Sequence, residues 1–210
     1  MWGEKMIEKI TQTLTDKIRK EMPEVDDERA EVINYGLQIL FGELPKTFII
    51  LGIAYLLGIF KLTLITFLII MPYRTFSGGF HLKTHIGCIV VTTAFYCGVA
   101  FLSKSIVLSE IAKYLLIIAV AVFGVVMIKL YAPADTENVP IVSKKIRRQK
   151  QILSYVSLIV ALVIAGIVKD RIISNIIIFG YLTQTLMITR LAYKITNNKY
   201  GYELYENASN

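Results

Sequence analysis

Residues 114–128 read YLLIIAVAVFGVVMI, a run without a single charged side chain. Five more runs are equally free of Asp, Glu, Lys, Arg and His, and they cover residues 47–60, 62–73, 86–103, 151–168 and 172–189. A helix needs roughly 20 mostly apolar residues to cross the hydrocarbon of a bilayer. Repeated apolar runs separated by short charged connections are therefore typical of a polytopic membrane protein.

The composition of the whole chain agrees with this pattern. Of its 210 residues, 55% are hydrophobic and 19% are charged, and the mean hydropathy is +0.57. An average soluble domain has about 25% charged residues, so the composition argues against a water-soluble globule. Six crossings use about 120 residues, which leaves too little chain for a separate soluble domain. We expect one all-α integral membrane domain over residues 1–210, with about six transmembrane helices.

The first 30 residues are charged throughout and lack the uninterrupted apolar core of a secretory signal peptide. One helical stripe is nevertheless apolar, and it is formed by Ile7, Ile10, Leu14, Ile18 and Met22. This spacing predicts an amphipathic helix that ends near Pro23 and lies in the membrane interface or packs on the cytoplasmic side of the bundle. We expect residues 31–192 to form the transmembrane bundle and residues 193–210 a polar cytoplasmic tail.

The net charge of +7 raises the question of nucleic-acid binding, which the placement of the bases argues against. If the N-terminus is cytoplasmic, the outer connections hold five bases, Lys61, Lys104, Lys113, Lys169 and Arg171. The inner connections and the tail hold ten, namely Arg74, Lys83, Lys144, Lys145, Arg147, Arg148, Lys150, Arg190, Lys194 and Lys199. Positive charge collects on the cytoplasmic side of membrane proteins, so we expect six crossings with both ends inside.

The second apolar segment is unusual. Residues 62–71, before Pro72, span only about 15 Å as a helix, which is half the thickness of the hydrocarbon. We therefore expect the chain to depart from a regular crossing within residues 72–85. The orientation above puts this break at the cytoplasmic side.

Residues 72–88 read PYRTFSGGFHLKTHIGC and contain both histidines of the chain. Cysteine chemistry needs a thiolate and a partner that takes or shares its proton, which is usually a histidine. Cys88 with His81 or His85 supplies such a pair. The other cysteine, Cys97, lies in the same apolar run, and we read it as a core residue. Two cysteines this close exclude a disulfide framework.

The spacing leaves two geometries open. On one continuous helix His81 lies about 10.5 Å from Cys88 along the axis, too far for a hydrogen bond, whereas His85 is close enough. Alternatively, the helix begins after His81, and Gly78 and Gly79 bend the preceding loop back over its first turn. In the second geometry Cys88 lies near a helix N-terminus, where the dipole stabilises a thiolate.

The motif Arg-x-x-x-Gly-Gly-x-His-x-x-x-x-x-x-Cys resembles the signature of the accessory gene regulator B (AgrB) family, and its residues here are Arg74, Gly78, Gly79, His81 and Cys88. These proteins are membrane cysteine endopeptidases of bacterial peptide quorum sensing. The resemblance covers the whole chain. It implies that Cys88 is the nucleophile and His81 its partner, with the active site toward the cytoplasm of a bacterial cell membrane. It also implies a homodimer surrounded by membrane lipids.

The resemblance further implies a reaction. Cys88 attacks a backbone carbonyl of an AgrD-like precursor peptide, and the resulting thioester is exchanged for a cyclic thiolactone or lactone. Gly78 and Gly79 form a tight turn, an oxyanion hole or both. Arg74 contacts a carboxylate of the substrate or of a nearby Glu, or anchors the loop at the headgroups. Bases of the fourth loop serve topology, or also recognise an acidic peptide, and they include Lys144, Lys145, Arg147 and Arg148.

Other readings of the site are weaker. The residues leave the third member of a triad open among Glu31, Asn34, Gln38, Asp135 and Asn138.

A small transporter or channel subunit is the alternative from another class, but the apolar runs carry no acidic residue and the halves show no inverted repeat. The chain has no His-Glu-x-x-His motif, and no carboxylate beside its histidines to complete a zinc site, so we expect no metal and no cofactor.

Overall fold

The computed structural model describes residues 2–22, 24–82, 84–136, 141 and 143–206. Every regular element within these residues is a helix, which confirms the all-α prediction. The helices are α1 (Trp2–Glu21), α2 (Asp27–Leu56), α3 (Phe60–Ser77), α4 (His85–Ser105), α5 (Glu110–Tyr131), α6 (Lys144–Ile167), α7 (Arg171–Met187), α8 (Arg190–Ile195) and α9 (Gly201–Glu206).

The chain divides into two compact units, Met1–Gly52 and Ile53–Asn210. In the first unit α1 ends at Glu21, next to the predicted stop at Pro23. Thr11 and Thr15 are buried there, and the amide of Asn34 donates to Gln12 Oε1 over 3.1 Å. The expected placement of α1 at a membrane interface stays a prediction.

The second unit contains the main core. Helix α6 packs against α3, α5 and α7, helix α7 also packs against α3 and α5, and α4 packs against α3 and α7. Gly180 allows α7 to approach α3 closely, since a Cβ there would lie 2.8 Å from Cγ1 of Ile70. Small residues at such contacts are typical of helix packing in membranes. The outer face of α5 is apolar and exposed, as Leu115, Ile118 and Val122 illustrate.

Within the described residues, three helices are long and apolar enough to cross a membrane: Ile86–Ser105, Glu110–Tyr131 and Lys144–Ile167. With their exposed apolar faces they mark a membrane protein. Helix α7 has 17 residues, about 26 Å, and falls short of the usual crossing length. The predicted count of six crossings therefore stays a prediction.

The irregular segment lies within the predicted range 72–85, and helix α3 places its start after Ser77. Helix α3 runs through Pro72 and ends only at Ser77, so its length is about 27 Å rather than 15 Å. The helix continues past Pro72 at the loss of one backbone hydrogen bond. The break in regular structure is confined to the segment between Ser77 and His85.

The segment after Arg190 is less peripheral than its polar composition indicates. Tyr193 and Tyr200 are among the most deeply buried side chains, and their rings stack with centroids 4.0 Å apart. Burial raises the pKa of both phenols, which therefore stay protonated as hydrogen-bond donors. Tyr193 donates to the carbonyls of Ala134 at 2.9 Å and Asp135 at 3.1 Å. The described part of the expected tail thus supports the loop between α5 and α6.

Candidate active site

The two glycines after α3 make a turn that other residues cannot adopt easily. Gly78 has φ 74° and Gly79 has φ 140°, both in the region that favours glycine. A side chain at Gly78 would also collide with the main chain of Ala134, whose carbonyl carbon would lie 2.9 Å from the new Cβ. The turn is therefore specified both by its backbone angles and by the close approach of the α5–α6 loop.

The main-chain hydrogen bonds of this turn decide between its two predicted roles. The N–H of Gly78 donates to the Arg74 carbonyl over 3.0 Å, and that of Gly79 donates to the Ala134 carbonyl over 2.9 Å. The N–H of Ala134 in turn donates to the Ser77 carbonyl over 2.8 Å. Because both glycine donors are engaged, this conformation favours loop support over an oxyanion hole at these two groups.

Arg74 lies in the last turn of α3 and points its guanidinium toward α7. It donates to Gln184 Oε1 over 3.1 Å and to the Phe80 carbonyl over 3.4 Å, and it contacts Met187 Sδ at 3.4 Å. None of the carboxylates in the described ranges pairs with it. Arg74 is therefore a half-buried cation with neutral partners.

Cys88 lies in the first turn of α4. The Thr84 side chain caps this helix by accepting the N–H of Gly87 at 3.2 Å, and the N–H of Cys88 donates to the Thr84 carbonyl at 2.9 Å. The helix begins at His85, which confirms that it starts after His81 and rules out one continuous helix over 81–88. The half-buried thiol lies 4.0 Å from the Thr92 hydroxyl.

Cys88 and Arg74 line the same cleft. Its walls combine this thiol and this cation with the side chains of Phe80, Leu82, Val91, Thr92, Phe95 and Met187. The cleft is therefore mostly apolar and carries one potential nucleophile and one positive charge. Such a surface suits a peptide with an apolar stretch next to a carboxylate.

The histidines are placed by the break between α3 and α4. His81 is exposed in the non-helical segment. Its neighbours Phe80 and Leu82 line the cleft, whereas its own imidazole is not part of the lining. An approach of His81 to the Cys88 sulfur of about 3.3–4.5 Å stays a prediction. His85 is the first residue of α4, and its side chain lies outside the described part of the structure.

The predicted basic loop contains two different kinds of residue. Arg147 forms an ion pair of 2.6 Å with Asp135, whose side chain is 1% exposed, and it also donates to the Pro133 carbonyl. Lys144, Lys145 and Arg148 are exposed in the first turns of α6. These three thus present positive surface, whereas Arg147 holds the loop that contacts the glycine turn.

The ion pair also affects which residue could be the third member of a catalytic triad. Asp135 was a candidate for orienting a histidine, but its Oδ2 accepts Arg147 and the N–H of Ile141. Asn34 bonds Gln12 in the first unit. Asn138 and the side chains of Glu31 and Gln38 lie outside the described residues.

Replacing Arg147 with Ala should destabilise the protein, because it leaves the buried Asp135 carboxylate without its counter-charge. We expect a loss of about 3 kcal/mol in the free energy of unfolding. Arg148→Ala removes an equal charge from an exposed position and should cost under about 0.5 kcal/mol. Denaturant titration in detergent measures both. Equal stability of the two variants would contradict a supporting role for the pair.

Two residues that support the site through hydrogen bonds, Gln184 and Tyr193, were not predicted from the sequence. Gln184 is fully buried, and its amide nitrogen donates to the Gly78 carbonyl over 2.8 Å. A polar side chain inside the otherwise apolar run 172–189 was the available signal, since such residues are costly in a membrane and are often functional. Tyr193 gave no comparable signal. No group of three metal-ligating side chains gathers among the residues described.

Comparisons with known proteins agree on one family. The profile described as Accessory gene regulator B matches residues 11–188. An AgrB-like protein of Listeria innocua is 25% identical over 90% of this chain and 91% of its own length. An AgrB-like protein of Clostridium acetobutylicum is 24% identical over 93% and 91%, respectively. Accessory gene regulator protein B of Staphylococcus epidermidis is 26% identical over 74% and 77%. No solved structure matches the chain significantly.

Proposed function

Because the chain belongs to the accessory gene regulator B family, we propose that it is a membrane cysteine endopeptidase that cleaves and cyclises a precursor signalling peptide. The observation that carries this proposal is the cleft that Cys88 and Arg74 share. A helix N-terminal turn presents the thiol, and the cation opposite has no carboxylate partner in the described structure. The cleft thus offers a nucleophile and a recognition group for an acidic peptide.

The first step is acyl transfer to the enzyme. The Cys88 thiolate attacks the backbone carbonyl at the cleavage site, and His81 in its protonated form gives a proton to the departing amine. The C–N bond breaks and a C–S bond replaces it. The N-terminal part of the peptide is then held on Cys88 as a thioester, while the acidic C-terminal part leaves with a free amino group.

The second step uses the energy kept in the thioester. A Cys or Ser side chain within the bound peptide attacks the same carbonyl, which closes a thiolactone or lactone ring and returns the proton and the free thiol to the enzyme. No outside energy source is required. The apolar walls that Val91 and Phe95 contribute limit the access of water, so that ring closure competes with hydrolysis.

Substrate recognition falls to the positive groups. Arg74 meets a peptide carboxylate inside the cleft, with geometry suited to a bidentate pair. Lys144, Lys145 and Arg148 attract the acidic portion of the precursor from the exposed start of α6. Arg147 keeps its pair with Asp135 and supports this surface from within.

The acyl-enzyme provides the direct test. Purified protein in detergent is incubated with a synthetic precursor peptide whose ring-forming Cys or Ser is replaced with Ala, so that ring closure cannot consume the thioester, then quenched in acid and measured as an intact mass. We expect an added mass equal to the N-terminal fragment, located at Cys88 and released by hydroxylamine, which cleaves thioesters. Cleavage without such an adduct, an adduct at another residue, or an intact precursor after incubation with folded protein would overturn the proposal.

The proposal includes six crossings with both ends in the cytoplasm, which labelling of single cysteines tests. In a chain without Cys88 and Cys97, membrane-impermeant maleimide on whole cells should react near residues 61, 107 and 170. Positions near residues 76, 145 and 200 should react only after the membrane is opened, since the inner connections carry ten bases against five outside. Labelling of position 145 from outside would contradict both the topology and a cytoplasmic active site.

A further inference from the structure

Gln184 lies in α7, and none of its side chain is exposed. Its Oε1 accepts the guanidinium of Arg74 at 3.1 Å. Its Nε2 donates to the Gly78 carbonyl at 2.8 Å and to the Ser77 hydroxyl at 3.2 Å. One amide therefore bonds both the cation of the cleft and the turn that leads to His81.

The partners fix which way this amide faces. A guanidinium only donates hydrogen bonds and a carbonyl only accepts them. Turning the amide over would place its NH2 against Arg74 and its oxygen against Gly78, which loses both bonds and adds two repulsive contacts in a buried site. Gln184 therefore holds Arg74 and Gly78 at a defined separation and in a defined order.

The surrounding contacts anchor Gln184 itself. The next residue, Thr185, is hydrogen bonded to the Tyr73 hydroxyl over 2.9 Å, and the Tyr73 ring stacks on Tyr181 with centroids 4.7 Å apart. These contacts fix α7 against the last turns of α3, where Arg74 lies. A rigid helix pair thus presents the amide, which is what precise positioning requires.

We propose that Gln184 is a positioning residue of the peptidase site, acting on substrate binding through Arg74 and on the chemical step through the Gly78 turn. The inference rests on the proposed function and extends it to a residue outside the family motif. It predicts that the two halves of one amide have separable effects. The oxygen governs how well Arg74 meets the peptide carboxylate, and the nitrogen governs how the loop carries His81 toward Cys88.

Two substitutions separate these effects. Gln184→Glu removes the NH2 that donates to the Gly78 carbonyl and gives Arg74 a carboxylate partner in place of a neutral oxygen, whereas Gln184→Met keeps the length and removes both groups. Gln151→Met is the matched control, since Gln151 is another partly buried glutamine whose amide bonds a backbone carbonyl, that of Ile128 at 3.1 Å. All three changes are made in a Cys97→Ala chain, in which Cys88 is the single thiol, and the folded, monodisperse fraction from size-exclusion chromatography is compared.

The readout is precursor cleavage per folded site in that fraction. We expect Gln184→Glu to lower kcat about 100-fold, because a displacement of about 1 Å at a reacting group costs a factor of that order. It should also raise KM by well over about tenfold, since its carboxylate pairs with Arg74 and competes with the peptide carboxylate. Gln184→Met should lower kcat similarly and also raise KM about tenfold. Gln151→Met should keep both constants. A purely structural role reduces the number of sites and leaves the constants per site unchanged.

Several results would overturn the inference. They are unchanged constants per site in both Gln184 variants, equal KM changes in the two variants, and losses in Gln151→Met as large as those in Gln184→Met. Failure of the proposed function has a different signature, because the unmodified chain would then form no hydroxylamine-labile adduct at Cys88. If Gln184→Met yields no folded sites, the kcat and KM of Gln184→Glu decide the question alone.

Discussion

Replacing Cys88 with Ala or Ser is expected to abolish precursor cleavage, by at least about 1,000-fold, while Cys97→Ala retains most of the activity. Ala has no nucleophile, and a serine hydroxyl is far less ionised than a thiol beside the same base. Both replacements fit the space of the thiol, which is half-buried at the cleft, so the protein should still insert and fold.

Cys97 is the internal control because it lies on the same helix in a different setting. It is buried in an apolar cluster with Ala54, Ile59 and Ala100, and the Thr63 hydroxyl lies 3.9 Å from its sulfur. Cleavage is measured with purified variants and synthetic precursor, and mass spectrometry identifies the products. An active Cys88→Ala chain, or an inactive Cys97→Ala chain that folds normally, would show that the catalytic assignment is wrong.

The second large effect separates the two histidines. His81→Ala should lower the rate of cleavage by about 100-fold or more, as expected for loss of a general acid and base, whereas His85→Ala should change it by no more than about threefold. The reason is the start of α4 at His85, which leaves His81 in the loop that the glycine turn directs. A helix through both histidines would have favoured His85 instead.

The same cleavage assay measures both histidine variants, with thioester formation read separately from ring closure. His81→Ala should form little adduct because its thiol lacks the proton partner. If His85→Ala alone were inactive, His85 would be the partner of Cys88. If both variants cleaved at the normal rate, neither imidazole would take part, and the proposed mechanism would fail.

The parts of the structure that the sequence predicts are those with local causes. Charge-free runs predict helices because the residues of one helix share one environment. The start of α4 after His81 was foreseeable from Gly78 and Gly79, which favour a turn. Pro72 does not mark where the break begins, since α3 continues through it and the break follows Ser77, within the predicted range 72–85.

The remaining parts depend on contacts between distant residues. Gln184 meets Gly78 across 106 positions of the chain, and Tyr193 meets Ala134 across 59. The ion pair of Arg147 with Asp135 spans 12 positions through a loop whose path no periodicity describes. A single sequence contains no record of such pairings. It therefore does not distinguish Arg147 from the other bases of residues 144–150, and it does not show that the segment after Arg190 is buried.

Gln184 and Tyr193, which support the motif, are synthesised well after the motif itself. A ribosome adds about 5–20 residues per second, so roughly 5–20 s pass between the synthesis of Cys88 and that of Gln184. During this interval the nascent chain contains every residue of the motif, while the bond from Gln184 to the Gly78 carbonyl and that from Tyr193 to Ala134 do not yet exist. The site is thus completed only after Gln184 and Tyr193 have been added, and a chain interrupted before Gln184 carries the full motif without the bonds that support its turn.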